Sequence, residues 1–202
     1  MSASAWKQWL ELVRSDYPLN RTSRESVLTS AVWRMGQVLH DRPGAGPFLL
    51  RRVHGVIDQV WVRNVIGAEL PRSVVVGPAL TLPHAARGVI VHPDARIGAS
   101  VTLHHRVTIG VRNTERPPHI GDGVYVGSGA SVLGPVELGA GCKVGANAVV
   151  VRDVPAGATV VVGPVRVLPA PRRAVRFHRV APGPRRSRTS KGPWADSGWK
   201  SR

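Results

Sequence analysis

The sequence of 202 residues predicts a mainly β protein built as a parallel β-helix, because its centre repeats every six residues. Large aliphatic side chains mark the period at Ile120, Val126, Val132, Leu138, Val144, Val150 and, after the small Ala156, Val162. Glycine often follows directly, at Gly121, Gly127, Gly139 and Gly145. No α-helix has this period. Since one repeat cannot bury its aliphatic residue alone, stacked coils must supply the core.

The six-residue step begins near the middle of the chain and is interrupted twice. It runs through Leu70, Val76 and Leu82, slips by three residues, and resumes through Val91, Ile97, Leu103 and Ile109. An eleven-residue step then leads to Ile120. Insertions in such a solenoid are tolerated as loops at its corners, which often form the binding face. Residues 83–90 and 111–119 are therefore the first places to look for function.

Residues 1–68 predict a helical region that caps the first coil. Trp6, Trp9, Leu10 and Val13 share a face at helical spacing. A second helix is expected after Ser23 and should stop before Pro43, and Pro47 is placed to open a third. Residues 69–168 are then the β-helix, and residues 169–202 form a third segment.

The third segment predicts a disordered basic tail, because it is rich in Pro, Arg, Ser and Gly and carries ten basic residues against Asp196 alone. The formal net charge of +16 is therefore concentrated there. The composition favours a solvated tail over contact with nucleic acid or a membrane surface, although it leaves both open. The lone Cys142 falls on an inward position of the repeat and is expected to be a buried thiol. No signal peptide or long apolar run is found, so a cytoplasmic protein is expected.

Three hexapeptides per coil would stack residues three repeats apart. Discounting insertions, one inward column is Leu82, Leu103, Val126, Val144 and Val162. The residues two positions further on form a second column, His84, His105, Ser128, Ala146 and Pro164. A pair of histidines then stands at one end of a line of small side chains. Such a line predicts a shallow groove for a long, thin ligand.

Four stretches carry a more specific pattern: Leu82-Pro83-His84, HPDARIGASVTLHHRVTIG (92–110), PPHIGDGVYVGSGASVLGPVELGAGCKVGANAVV (117–150) and VPAGATVVVG (154–163). In these stretches the chain resembles the serine acetyltransferase family of left-handed β-helix acyltransferases, and it is also similar to short relatives of polysaccharide biosynthesis. The resemblance implies a left-handed coil, despite the usual right-handed crossover. It further implies acetyl transfer from acetyl-CoA to a hydroxyl, cysteine biosynthesis and a homotrimer whose active sites lie between neighbours.

The resemblance also implies roles for particular residues. His84 is the catalytic base and Glu69, fifteen residues earlier, is its acidic partner. The family has Asp before the histidine and Arg-His-Pro in the loop, whereas this chain has Pro83 and Arg116-Pro117-Pro118. The remaining candidates are substrate-binding residues, His105, Arg112, Arg116 and His119, and cofactor-binding residues of the groove, Gly127, Ser128, Gly129 and Ala146. Each candidate also has a purely structural interpretation. His105 could simply stack in the column, and Arg112, Arg116 and His119 could belong to a solvated loop. The four groove residues could be ordinary turn residues.

Three functions compete. The first is an acetyl-CoA-dependent O-acetyltransferase acting on serine or a similar small acceptor. The second performs the same chemistry on a sugar or glycan hydroxyl. The third is a zinc hydratase-type β-helix using His84, His105 and His119, or a non-enzymatic binding module of the basic tail. No close H-x-x-x-x-H pair is present, so no metal is expected.

Overall fold

Three parallel sheets wind around one core in the computed structural model, which describes residues 3–41, 48–113 and 116–163. The strands in the described residues are β1 Val75–Val76, β2 Ile90–Val91, β3 Arg96–Ile97, β4 Thr102–Leu103, β5 Thr108–Gly110, β6 His119–Ile120, β7 Tyr125–Val126, β8 Ser131–Leu133, β9 Glu137–Leu138, β10 Lys143–Val144, β11 Val149–Val150 and β12 Thr159–Val160. Sheet A contains β2, β5, β8 and β11, sheet B contains β1, β3, β6 and β9, and sheet C contains β4, β7, β10 and β12. The chain passes from A to B to C and back to A, so each circuit is one coil of a parallel β-helix.

The aliphatic residue of each repeat faces the interior, as the period predicts. The inward side chains Ile97, Leu103, Ile109, Ile120, Val126, Val132, Leu138, Val144 and Val150 are all buried. Register follows the repeat, since Leu103 pairs with Val126 and Val126 with Val144. Full burial of such a side chain contributes about 1.5–3 kcal/mol. The stack of aliphatic residues is therefore the main source of stability.

The last coil departs from the predicted column. Val144 pairs with Val160, not with Val162, whose side chain is 58% exposed. The cause is the final turn from sheet A to sheet B, where Val154 bridges to Leu138 only four positions after Val150. This turn is two residues shorter than the one from Val132 to Leu138, so every later residue is shifted. The predicted end of the second column, Pro164, lies outside the described residues, and Val162 takes its position.

Helices precede the coils, as expected. They are α1 Ala3–Asn20, α2 Arg24–Asp41 and α3 Phe48–Ile57, which continues into a π-helical segment, Asp58–Ile66. Ser23 caps α2, because its hydroxyl accepts the Ser26 N–H at 3.2 Å. No described helix has the length and apolar character needed to cross a membrane. The predicted tail, 169–202, lies outside the described residues, and the division into three segments stays a prediction.

A buried ion pair ties the helices to the first coil. Arg34 Nε lies 2.8 Å from Asp16 Oδ2, and the two side chains are 0% and 2% exposed. The Arg34 guanidinium also donates to the carbonyls of Val76 and Gly77, at 2.9 and 2.7 Å. Asp16 Oδ1 accepts the Leu80 N–H at 2.9 Å. The pair therefore fixes the segment from Val76 to Leu80, which leads to residue 84.

Cys142 is buried, as predicted, and burial raises the pKa of its thiol. Because the thiolate is the reactive form, the native protein should react with Ellman's reagent only as fast as local opening exposes the side chain. The denatured chain should react at once. Stoichiometric labelling of the native protein within the mixing time would contradict this placement.

Candidate active site

His84 lies in a strained turn at the corner between sheets C and A. The turn Pro83–Ala86 occupies the first interruption of the repeat. His84, Ala85 and Ala86 have φ of 55°, 60° and 60°. Each non-glycine residue in this left-handed region costs about 1–2 kcal/mol. Such strain persists only where the surroundings over-determine it, and it is concentrated at functional sites.

The structure brings His84 and His105 together. Their ring centroids are 5.0 Å apart with the rings at 88°, an edge-on contact. His84 is exposed and His105 is half-buried, while His105 Nδ1 is buried without a hydrogen-bond partner in the described part of the chain. His104 packs against Tyr125 with ring centroids 5.0 Å apart. The predicted pair of imidazoles thus stands at this corner.

The sequence predicted Glu69 as the acidic partner of His84, but the two side chains form no ion pair in the described structure. The backbone of Glu69 bridges to Ile90, which places Glu69 on the coil below and at the edge of sheet A. The side chain is exposed, and among the described residues the carboxylate forms neither an ion pair nor a hydrogen bond with the imidazole. An orienting contact therefore requires another rotamer of Glu69.

The histidine cluster predicts a dependence of stability on pH. Burial first, then the neighbouring imidazoles of His105 and His84, lower the pKa of His104. A histidine in the unfolded chain has a pKa of about 6.5. The unfolded state therefore binds more protons below that pH, and stability should fall as the pH drops from there through the folded-state pKa of His104.

Thermal unfolding at neutral pH and at about pH 5 measures this loss, since histidine changes its charge between these values. His104→Gln should show a smaller acid-induced drop in Tm than the parent protein. Equal drops in the two proteins would show that His104 does not contribute.

The groove residues follow the same corner along the coils. The Gly129 N–H donates to the His105 carbonyl at 3.0 Å, and the Asn147 N–H donates to the Ser128 carbonyl at 2.9 Å. A Cβ on Gly127 would lie 2.7 Å from the Ala146 nitrogen, and Gly129 has φ of 70°. Coil stacking itself therefore requires glycine at position 127, whereas Arg106 and Asn147 adopt the same left-handed φ as Gly129 at the equivalent positions of the neighbouring coils. Ser128 is half-buried and Ala146 exposed, so both side chains are accessible along the corner.

The second interruption lies at a different corner, between sheets A and B. Arg112 follows β5, whereas His119 begins β6 and stacks between Arg96 and Glu137. Arg116 and His119 line a cavity of about 450 Å³ with these neighbours. Within one chain, none of the three loop candidates is brought to His84.

This separation bears on the zinc alternative. His119 lies on sheet B, away from the pair His84 and His105 at the corner between sheets C and A. Over the described ranges, no group of three His, Cys, Asp or Glu side chains is arranged to hold a metal ion. The predicted histidine triad is therefore not a ligand set within one chain.

The helical cap contributes residues that sequence reasoning missed. A second cavity, of about 490 Å³, lies between the loop from α1 to α2 and the His84 turn. Asn20, Ser23 and Ser26 line one side, and the exposed ion pair of Arg87 Nη2 with Glu25 Oε2, at 3.0 Å, stands at its edge. The sequence around Ser23 predicted the start of α2. It contains no signal that this helix contacts the His84 turn, which lies some sixty residues further along the chain.

Known proteins share this architecture. Residues 117–152 match the model of the bacterial transferase hexapeptide family (six repeats). The serine acetyltransferase of Staphylococcus xylosus is 34% identical over 136 residues, 63% of this chain and 60% of that protein. The serine acetyltransferase of Mycobacterium tuberculosis is 39% identical over 80 residues, 38% of this chain and 34% of that protein.

A solved structure, soybean serine acetyltransferase complexed with serine, superposes with a TM-score of 0.61 at 28% identity, over 82% of this chain and 70% of that one. These similarities confirm the predicted left-handed β-helix of hexapeptide repeats preceded by helices. The matched stretches span between 34% and 60% of the two curated relatives.

Proposed function

We propose, from its membership of the serine acetyltransferase family of hexapeptide-repeat transferases, that this chain transfers an acetyl group from acetyl-CoA to the hydroxyl of serine or a similar small acceptor. The observation that supports this most is the position of His84. It stands on a strained turn, edge-on to His105, at the end of the column that continues through Ser128 and Ala146. An exposed imidazole in such a place is accessible to both substrates.

His84 acts as general base in this proposal. Its neutral imidazole accepts the proton of the acceptor hydroxyl as that oxygen attacks the thioester carbonyl carbon. The C–S bond then breaks, and the imidazolium returns the proton to the departing thiolate of coenzyme A. Backbone N–H groups at the glycine-rich corners are suitable donors for the transient oxyanion. Glu69, in a rotamer turned toward His84, would orient the ring and stabilise the imidazolium.

The groove is proposed to bind the pantetheine arm of acetyl-CoA. Gly127, Ser128, Gly129 and Ala146 follow the corner that begins at His105. They leave little side-chain volume there, so an extended ligand can approach the backbone. The thioester would then lie beside the imidazole pair.

A homotrimer is proposed, because the loop with Arg112, Arg116 and His119 lies at a different corner from His84. In a trimer, the loop of a neighbouring copy can complete the acceptor site. Light scattering on the purified protein tests this, since an active monomer would contradict it.

The acceptor has a second candidate, a sugar hydroxyl. Pro83 stands where the family has an acidic residue beside the histidine, so one partner for an amino group is absent. The cavity beside His84 is also lined by the neutral hydroxyl groups of Thr22 and Thr81, while its charged pair Glu25 and Arg87 is mutually satisfied. Neutral polar groups of this kind suit a polyhydroxylated ligand.

Acetyl-CoA turnover, followed as free thiol, tests the function across serine, homoserine and a panel of sugars. Serine turnover well above the hydrolysis background supports the first candidate, and turnover with sugars only supports the second. Absence of acceptor-dependent thiol release by the folded protein would overturn both. The buried Cys142 thiol should contribute little background.

A further inference from the structure

The strained turn at His84 is held by the first turn of α2. The side chain of Ser26 is buried, and its hydroxyl oxygen accepts the backbone N–H of Ala85 at 3.0 Å. Ala85 is the residue directly after His84 and is itself fully buried. This bond therefore acts on the peptide unit that sets the direction of the His84 side chain.

We propose that Ser26 is a positioning residue for the base. The inference rests on the proposed function, because it assigns Ser26 a role through His84 and not through contact with substrate. Three consecutive residues with left-handed φ are costly, so the turn needs an external hold. The hydroxyl of Ser26 supplies it at the centre of the turn.

The other contacts of the turn do not replace this bond. The Arg87 N–H donates to the His84 carbonyl at 3.2 Å, and the Val89 N–H donates to the Ala86 carbonyl at 2.9 Å. Both bonds close the second half of the turn, and neither provides an acceptor for the Ala85 N–H. A buried N–H without an acceptor carries its full desolvation cost. Without the hydroxyl, the peptide between His84 and Ala85 would gain by rotating, and the imidazole would move with it.

The helical cap is built to present this hydroxyl. Ser23 fixes where α2 begins by accepting the Ser26 N–H, so Ser26 lies in the first helical turn. Asn20, at the end of α1, holds the segment before His84 by two hydrogen bonds of its carboxamide. It accepts the Leu82 N–H and donates to the Leu80 carbonyl, both at 2.8 Å. The cap thus fixes the segment before His84 and the residue after it.

Ser30 provides a matched control. It lies one turn further along α2, is equally buried, and donates its hydroxyl to Asp16 Oδ2 at 2.7 Å. It makes no hydrogen bond to the His84 turn in the described structure. Ser26→Ala and Ser30→Ala therefore make the same chemical change in the same helix, and only the first removes a bond to the turn.

The first measurement is amide hydrogen exchange over residues 82–89, which needs no substrate. Ser26→Ala should speed exchange in this segment, whereas Ser30→Ala should leave it as in the parent protein. Equal protection in Ser26→Ala and the parent would overturn the proposal whether or not the chain transfers acetyl groups. Suppose that exchange is faster in Ser26→Ala but that the parent protein turns over no acceptor. This result would support the role of Ser26 in holding the turn and would contradict only the proposed acetyltransferase function.

The second measurement separates kcat from KM. Displacing a reacting group by about 1 Å costs up to about a hundredfold in rate, so Ser26→Ala should lower kcat by about tenfold to a hundredfold. The KM for acetyl-CoA should change little, because the groove is intact, and Ser26→Thr, which keeps the hydroxyl, should recover most of kcat. Parental kcat in folded Ser26→Ala, or an equal loss in Ser30→Ala, would overturn the proposal. Should Ser26→Ala fail to fold, Ser26→Cys, with a weak sulfur acceptor, takes its place in both measurements.

Discussion

Replacing His84 by alanine should lower kcat by about 10²–10⁴-fold, which is what a positioned general base contributes. That loss corresponds to about 3–5 kcal/mol of activation free energy. The KM for acetyl-CoA should change little, because the groove along Ser128 and Ala146 does not depend on the imidazole. Steady-state turnover measured as free thiol gives both constants, and circular dichroism checks the fold.

His92 supplies the matched control for this substitution. It lies at the corner between sheets A and B, where its Nδ1 accepts the Asp94 N–H at 3.2 Å. His92→Ala should keep kcat close to that of the parent. Glu69→Gln should cost less than His84→Ala, since the imidazole can act without a fixed tautomer. If folded His84→Ala turns over like the parent while His105→Ala or His119→Ala is inactive, the base has been assigned to the wrong histidine.

Replacing Asp16 by alanine should destabilise the protein by about 3–5 kcal/mol, because it leaves the Arg34 guanidinium buried without its counter-charge. The substitution also removes the acceptor of the Leu80 N–H and of the Ser30 hydroxyl. Each of these buried donors would then carry its own desolvation cost. The free energy of unfolding from urea titrations, with the slope compared between proteins, measures the loss.

Asp94→Ala is the control for Asp16→Ala. The Asp94 side chain is 77% exposed and lies 3.9 Å from His92. A surface substitution of this kind usually changes stability by less than about 0.5 kcal/mol. A change of similar size in Asp16→Ala would show that the buried pair does not hold the cap on the first coil.

The cap is therefore more than a cover for apolar residues. Asp16 and Arg34 fix the segment from Val76 to Leu80 before the turn, and Ser26 fixes the residue after His84. The position of the proposed base thus depends on helices that are remote from it in sequence. Loss of the cap is expected to affect turnover through the geometry of this corner.

The sequence alone determined the coil, its inward residues and the corner that carries His84 and His105. A six-residue period can be recognised locally, and in a solenoid each coil contacts only its neighbours. Counting three repeats per coil therefore sufficed to place Leu103 over Val126 and to bring two histidines into one column. The buried Cys142 followed from the same count.

Only the tertiary structure decided the features that break or leave this period. The shortened turn before Val154 replaced Val162 by Val160 in the stacked column, and the side chain of Glu69 forms no ion pair with His84 in the described structure. The hydrogen bond between Ser26 and Ala85 joins residues that are 59 positions apart in the sequence. Contacts between a helix and a coil depend on how two elements pack, and no periodic signal in the chain records that packing.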